Sequence, residues 1–449
     1  MTRNNKRRFA LVGTGGRSAN FTHPIFKSYA DSCELVGLCD LSEVRLKVHQ
    51  ANLENAFGAT GVPLYKAADF GRMLRETRPD EVIVCTMDCT HDTYIVEALK
   101  AGCDVTTEKP MTTDSDKCNR ILDTAKETGK RVRVAFNYRW MPANTRVKEL
   151  LQSGVIGKLK HVAMEYALDT SHGADYFRRW HSYKDKSGGL LVHKATHHFD
   201  LVNWWADSIP EDVFAFGGLV FYGHDNAVAR GDERYTRYPR YTGTDSADDP
   251  FRLDLKARPD TRELYYEAEA ETGYLRDENV FRKGIDIEDS MSVTARYRNG
   301  VMLSYSLNAY SPIEGMRVVF HGDRGRIDFA HFGGSHLILG QDEAELAAMQ
   351  EANKGFKELV VIPHFQPRQV HEIPRASGGH GGGDAALAEH IFPPDPPGDR
   401  FQRSAGQEQG AASIMVGIAA NRAIATGQPQ KISELAHLPA DALHLSDLV

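Results

Sequence analysis

A short apolar run at 8–12 stops at Gly13-Thr14-Gly15-Gly16-Arg17-Ser18 and hands over to a new segment, and this opening constrains the chain more than any other part of it. Glycines at a strand-to-helix turn let backbone amides come close to an anion, at a helix N-terminus whose dipole favours negative charge. Ser18 takes the third glycine place of the G-x-G-x-x-G pattern, so context has to supply what spacing lacks. It does so about 25 residues on, where Asp40 closes a second strand-like run and can accept hydrogen bonds from ribose hydroxyls. A carboxylate there repels a 2′-phosphate. Gly13, Gly15, Gly16, Arg17, Ser18 and Asp40 are therefore expected to hold a dinucleotide, NAD rather than NADP. Arg45 lies in the following helix and need not face the ribose.

Runs at 8–12, 34–39, 80–86, 103–107 and 131–136 are short and rich in valine or isoleucine, with amphipathic stretches at 42–56, 91–100 and 114–128 between them. Strands alternating with helices predict an α/β fold, a Rossmann domain with a doubly wound parallel sheet over residues 1–137. After Pro142 the texture changes. A helix at 143–152, a strand at 160–169, a helix at 196–205 and strand-like runs at 212–222, 291–298, 301–310 and 316–320 follow. Successive strands without helices between them predict an α+β domain over 138–449 with a large mixed or antiparallel open sheet. Residues 223–285, charged and tyrosine-rich without periodicity, read as a surface insertion. Residues 377–399 read as two loops around a short helix, and 407–427 as a C-terminal helix stopped by Gly427 and Pro429.

A chain of 449 residues exceeds one ordinary core. The net charge of -7, without a basic stripe interleaved with aromatics, argues against nucleic acid and for a small-molecule partner. The basic start meets an apolar stretch broken at Gly13, too short for a signal peptide. No run approaches the roughly 20 apolar residues of a membrane span, so a soluble cytoplasmic protein is expected. Cys33, Cys39, Cys85, Cys89, Cys103 and Cys118 are expected as reduced thiols. Cys85, Cys89 and His91 lack the second ligand pair of a zinc site, and no metal is expected.

Thr86-Met87-Asp88-Cys89-Thr90-His91 joins a later strand to a helix. Ligands of open α/β sheets sit beyond the carboxyl ends of strands, so Thr86 and His91 are expected to border the nicotinamide, although His91 can equally cap or pack. In Glu108-Lys109-Pro110 the proline ends a strand just where a long cation arrives. Lys109 there can hydrogen-bond a substrate hydroxyl and stabilise its oxygen as hydride leaves the carbon, with Glu108 beside the cofactor. In the block Gly188 to Asp200, His193, His197 and Asp200 stand at helical spacing. Histidine takes a hydroxyl proton near neutral pH. The same residues resemble a metal site, but the lysine and the nucleotide fold supply a metal-free route. Tyr138 follows the last strand of the first domain and can line the cleft. Arg179 and Trp180, just upstream of the histidine block, suit a carbohydrate pocket or a domain-interface cluster.

In order and spacing, the glycine turn, the Glu-Lys-Pro triplet and the Gly-Gly…His…Asp block resemble the Gfo/Idh/MocA oxidoreductases. The resemblance implies tightly held NAD(P), a sugar-like or cyclitol substrate, and a C-terminal domain whose open sheet forms oligomer contacts, hence a homodimer or homotetramer. It matches Lys109 to the family's catalytic lysine and His197 to its histidine, while the aspartate usual four residues earlier is His193, followed by Lys194. Lys109 and His197 are expected to handle the proton, with His193 and Lys194 orienting substrate. The expected activity is hydride transfer between NAD and a hydroxyl-bearing carbon of a sugar, glycoside or cyclitol. The departure at His193 keeps open a second reading, an NAD-dependent glycosidase working by transient oxidation, elimination, water addition and re-reduction. The loop Gly378 to Asp384 is similar to a late glycine-rich loop of such enzymes, with His380 meeting the sugar and Asp384 capping the next helix. A third reading is a non-catalytic sugar or nucleotide sensor.

Overall fold

The valine-rich runs of the first third become interior strands of a parallel sheet. In the computed structural model, which describes residues 6–336, 349, 353–374 and 376–448, these are β1 (Arg7–Val12), β2 (Cys33–Asp40), β3 (Leu64–Lys66), β4 (Glu81–Val84), β5 (Asp104–Thr107) and β6 (Val132–Val134). Their order is β3-β2-β1-β4-β5-β6, all parallel. Phe9 to Val12 are fully buried, as a strand covered on both faces by helices must be. β3 has only three residues, too few to carry a pattern, and was not read from the sequence. The basic start at residues 1–5 lies outside the described residues.

The covering helices are α1 (Ala19–Lys27), α2 (Glu43–Phe57), α3 (Phe70–Thr77), α4 (His91–Lys100) and α5 (Ser115–Thr128). Ser42 caps α2 by accepting the Arg45 N–H at 3.2 Å, and Asp114 caps α5 by accepting the Lys117 N–H at 2.9 Å. Such a cap contributes about 1 kcal/mol.

The second sheet has nine strands: β7 (Leu159–Asp169), β8 (Pro210–Gly218), β9 (Ser290–Tyr297), β10 (Met302–Ser311), β11 (Ile313–Gly322), β12 (Gly325–Ser335), β13 (Phe356–Pro363), β14 (Gln369–Val370) and β16 (Gln430–Lys431). β15 (Ala405–Gly406) belongs to the first sheet. β7 and β10 run parallel and the other neighbours antiparallel, so the second sheet is mixed. On β9, Met291, Val293, Ala295 and Tyr297 are buried, whereas Ser292, Thr294 and Arg296 face outward. The helices placed by this domain are α6 (Pro142–Gln152), α7 (His172–Arg178), α8 (Thr196–Ala206), α9 (Gly383–Ile391) and α10 (Gln407–Thr426). α10 packs on β8 and α8, and it ends at Gly427 as expected.

Two late segments return to the first sheet, which local sequence pattern could not reveal. Leu387, Ile391 and Phe392 bury against Phe9, Leu11 and Phe21, with the Phe392 and Phe9 rings edge-on at 5.3 Å. β15 then adds to β6 antiparallel. The 223–285 stretch, expected at the surface, buries Tyr241, Leu255, Val280 and Phe281. Its short turns carry no period because each is held by contacts elsewhere. All six cysteines are free, and no helix among the described residues is long and apolar enough to cross a membrane.

One ion pair locks the end of the first sheet to the second domain. Arg139 donates from Nε and Nη2 to both Asp200 oxygens, at 2.8 and 2.6 Å, with neither side chain exposed. Asp200 thus turns away from the cleft instead of joining the histidines. Asp200→Ala leaves a buried guanidinium without its counterion and should lower stability by about 3–5 kcal/mol in urea unfolding.

Candidate active site

The strand order of the first sheet reverses between β1 and β4, and open α/β sheets bind ligands in the crevice at that point. A cleft of about 460 Å³ opens there. Gly13 leaves β1 with φ +95°, and a Cβ on it would lie 2.5 Å from the carbonyl of Cys85. Only glycine lets the two strand ends approach this closely. Gly15 has no heavy atom within 4 Å of where a Cβ would stand, so the turn is open toward the cleft. Ser18 does not line it. Its hydroxyl donates to Gly15 O at 2.6 Å and meets His49 at 3.3 Å, fixing the turn from behind.

Asp40 ends β2 at the cleft wall. One of its oxygens accepts the Thr14 N–H at 2.6 Å and the Thr14 hydroxyl at 3.1 Å, and the other accepts the Ser42 N–H at 2.8 Å. A carboxylate offers about four acceptor sites, so one remains for a ligand. Arg17 does not point freely at the cleft. Its guanidinium bridges Glu108 at 2.5 Å and Asp384 at 2.9 Å, tying the glycine turn to the end of β5 and to the late glycine loop.

Lys109 follows β5 and faces His193, not His197, as its hydrogen-bonding neighbour. Its Nζ donates to the His193 carbonyl at 3.1 Å and lies 3.5 Å from His193 Nε2. His193 Nδ1 in turn lies 2.5 Å from an oxygen of Asp88. Burial lowers the Lys109 ammonium to about 8, against the pull of Asp88 and Glu108. Burial and then the Lys109 charge push His193 and His197 well below the usual imidazole range, so both rings are neutral. His193 Nδ1 and the Asp88 oxygen share one proton across the 2.5 Å contact, and burial pushes the Asp88 carboxyl well above the usual carboxylate range. The other ring nitrogen, Nε2, faces Lys109.

The expected residues divide in two. Gly13, Gly15, Gly16, Arg17, Asp40, Thr86, His91, Glu108, Lys109, Arg179, Trp180, His193, His197 and His380 all line the cleft. Tyr138 and Lys194 lie beneath it: the Tyr138 ring stacks on His197 at 4.1 Å, and Lys194 donates to the Tyr138 hydroxyl at 3.2 Å. The ring nitrogens of His91 lie 2.9 Å from Pro110 O and 3.1 Å from Thr86 O, so this residue ties two loops together as well as bordering the cleft. Asp384 does not cap α9, whose cap position is Gly382. It instead accepts from Arg17, Asn20 and Asn137 and meets His380 at 2.9 Å. The sequence reading gave Asp88 no role, although a carboxylate in the loop after β4 was the signal available. Tyr265 and Tyr274, which also line the cleft, come from the aperiodic insertion and left no signal.

Two family models match this chain: "Oxidoreductase family, NAD-binding Rossmann fold" over residues 7–136 and "Oxidoreductase family, C-terminal alpha/beta domain" over 148–432. The chain belongs to the Gfo/Idh/MocA oxidoreductase family. "Putative oxidoreductase YteT" of Bacillus subtilis (strain 168) is 36% identical over 421 residues, covering 92% of this chain and 95% of that protein. D-glucoside 3-dehydrogenase of Escherichia coli (strain K12) is 31% identical over 152 residues, 34% of this chain and 41% of that protein. Inositol 2-dehydrogenase of Rubrobacter xylanophilus is 26% identical over 151 residues, 32% of this chain and 39% of that protein, and glycosyl hydrolase family 109 protein 2 of Akkermansia muciniphila is 29% identical over 162 residues, 35% of this chain and 33% of that protein. Among solved structures, the WlbA dehydrogenase from Bordetella pertussis, in complex with NADH and UDP-GlcNAcA, superposes with a TM-score of 0.60 at 18% identity. That match covers 97% of this chain and 100% of that one, and it shows the shared fold.

Gly13→Ala drives a methyl group into the Cys85 backbone at an unfavourable φ. It should cost at least about 1–3 kcal/mol, read as a lowered thermal midpoint, while Gly15→Ala, facing open space, should stay near the wild type.

Proposed function

We propose that the chain is an NAD-dependent oxidoreductase acting on a hydroxyl-bearing carbon of a sugar, glycoside or cyclitol. The observation that carries this reading is Lys109, a lysine titrating near 8, held against the His193–Asp88 pair in the same cleft as an open glycine turn. The residues present fit a dinucleotide: Gly15 opens to the cleft, Asp40 keeps an acceptor site, and both stand where the Rossmann fold places a pyrophosphate and a ribose. Bound there, NAD supplies the hydride acceptor.

The chain's own residues manage the proton. In the oxidation direction neutral Lys109 accepts the proton of the substrate hydroxyl as the carbon gives up hydride, and the developing charge on oxygen stays paired with the new ammonium. Nε2 of His193, 3.5 Å from Nζ, positions the amine in the cleft while the ring itself stays neutral. Asp88, on Nδ1, fixes the orientation of that ring toward Lys109. His197, stacked on Tyr138, presents a second neutral imidazole at the cleft wall. Arg179 and Trp180 supply a cation and an aromatic face of the kind that grips a polyhydroxylated ligand. Asp40 favours NAD over NADP by charge.

Oxidation needs the neutral amine. Its kcat/KM should therefore rise with pH through about 8, and that of the reverse reduction should fall over the same range. A flat profile between pH 6.5 and 9.5 would remove Lys109 from the proton step. Lys109→Met should lower kcat by about 10²–10⁴-fold while leaving NAD affinity within a few-fold.

One observation favours the glycosidase as a second reading. His380, in the late glycine-rich loop, lines the same cleft with φ +47° and is held by Asp384. A redox-neutral cycle releases the aglycone of an aryl glycoside at constant NADH. Net NADH formation in step with substrate loss selects the dehydrogenase.

A further inference from the structure

The insertion folds back onto the nucleotide end of the cleft through contacts that the glycine turn alone would not require. The Gly16 N–H donates to the Tyr265 hydroxyl at 3.3 Å. At the start of α2, Glu271 accepts from the Ser42 hydroxyl at 2.6 Å and from the Val44 N–H at 3.3 Å. Arg45 donates from Nε to Leu264 O at 2.9 Å, and its guanidinium lies 5.5 Å from the Tyr265 ring and 5.7 Å from the Tyr274 ring. Its Nη2 is buried without a partner among the described residues.

We infer that residues 264–274 of the insertion complete the dinucleotide site, Tyr265 binding the pyrophosphate and Glu271 selecting against a 2′-phosphate. The inference rests on the reading of the cleft as an NAD site and goes beyond the Rossmann residues. The Tyr265 hydroxyl accepts from Gly16 and keeps its own proton for a phosphate oxygen bound at the same turn. Ser42 stands between two carboxylates, its N–H on Asp40 and its hydroxyl on Glu271. That places a second negative charge beside the ribose position of Asp40, where a 2′-phosphate would have to sit. Arg45, the nearby cation on the same cleft wall, is oriented by Leu264 O and the two tyrosine rings and makes no ion pair with either carboxylate among the described residues.

Titration of the full chain with NAD and NADP, followed by calorimetry, tests both contacts in Tyr265→Phe and Glu271→Gln, with thermal midpoints confirming that each variant folds. Tyr265→Phe keeps the ring and loses the donor. It should weaken both nucleotides by about 5–10-fold. Glu271→Gln keeps the Ser42 hydrogen bond and loses the charge. It should leave NAD within two-fold and tighten NADP by about tenfold at low salt, an effect that shrinks as salt is raised. Wild-type affinities in either folded variant, or tighter NAD binding in Tyr265→Phe, would overturn the inference. A wild-type chain that binds neither nucleotide would instead defeat the reading of the cleft itself.

Discussion

The close approach of Gly13 to Cys85 is the contact on which the rest of the site depends. Because no side chain stands at Gly13, the turn after β1 lies directly against the end of β4. The Gly15–Gly16 amides and Asp88 can then share one cleft. A parallel sheet buried on both faces fixes its strand ends to within a fraction of an ångström through its core. The loops carrying Asp40, Asp88 and Lys109 inherit that precision from β2, β4 and β5 without a rigid structure of their own.

Within that frame, charge balance organises the histidines around Lys109. Asp88, on the loop after β4, meets His193 with an oxygen 2.5 Å from Nδ1. Burial first, and the charges of Lys109 and Lys194 after it, keep His193, His197 and His198 neutral. The site thus pairs one titrating lysine with several fixed acceptors. Its acid–base range sits near 8 and not near the ordinary imidazole value.

What the sequence made legible was local. The strand-turn-helix punctuation around Gly13, the proline after Lys109, the alternating burial of β7 and β9, and the Gly427 stop of α10 are each written in consecutive residues. Asp40, Lys109 and His193 follow from those elements because each sits at a strand or helix end. The remainder depended on pairing between distant segments. β15 and Phe392 close the first sheet from the far end of the chain, and Asp384 reaches Arg17 across more than 360 residues. Lys194 fell beneath the cleft because the helical spacing assumed for 193–200 is broken: residues 190–193 and 196–206 form two separate helices. That break turns His193 toward Asp88 and Asp200 toward Arg139, and periodicity cannot express it.

The insertion bears on which reaction the cleft serves. A net dehydrogenase must release its reduced nucleotide in every turnover, so contacts from a second domain onto the pyrophosphate turn slow the step that completes its cycle. A redox-neutral enzyme reduces and reoxidises the same nucleotide, and for it those contacts cost nothing. Tyr265 on Gly16 and Glu271 on Ser42 are therefore where the two proposed cycles part: in a net dehydrogenase they slow nucleotide release, and in a redox-neutral glycosidase they do not enter the cycle.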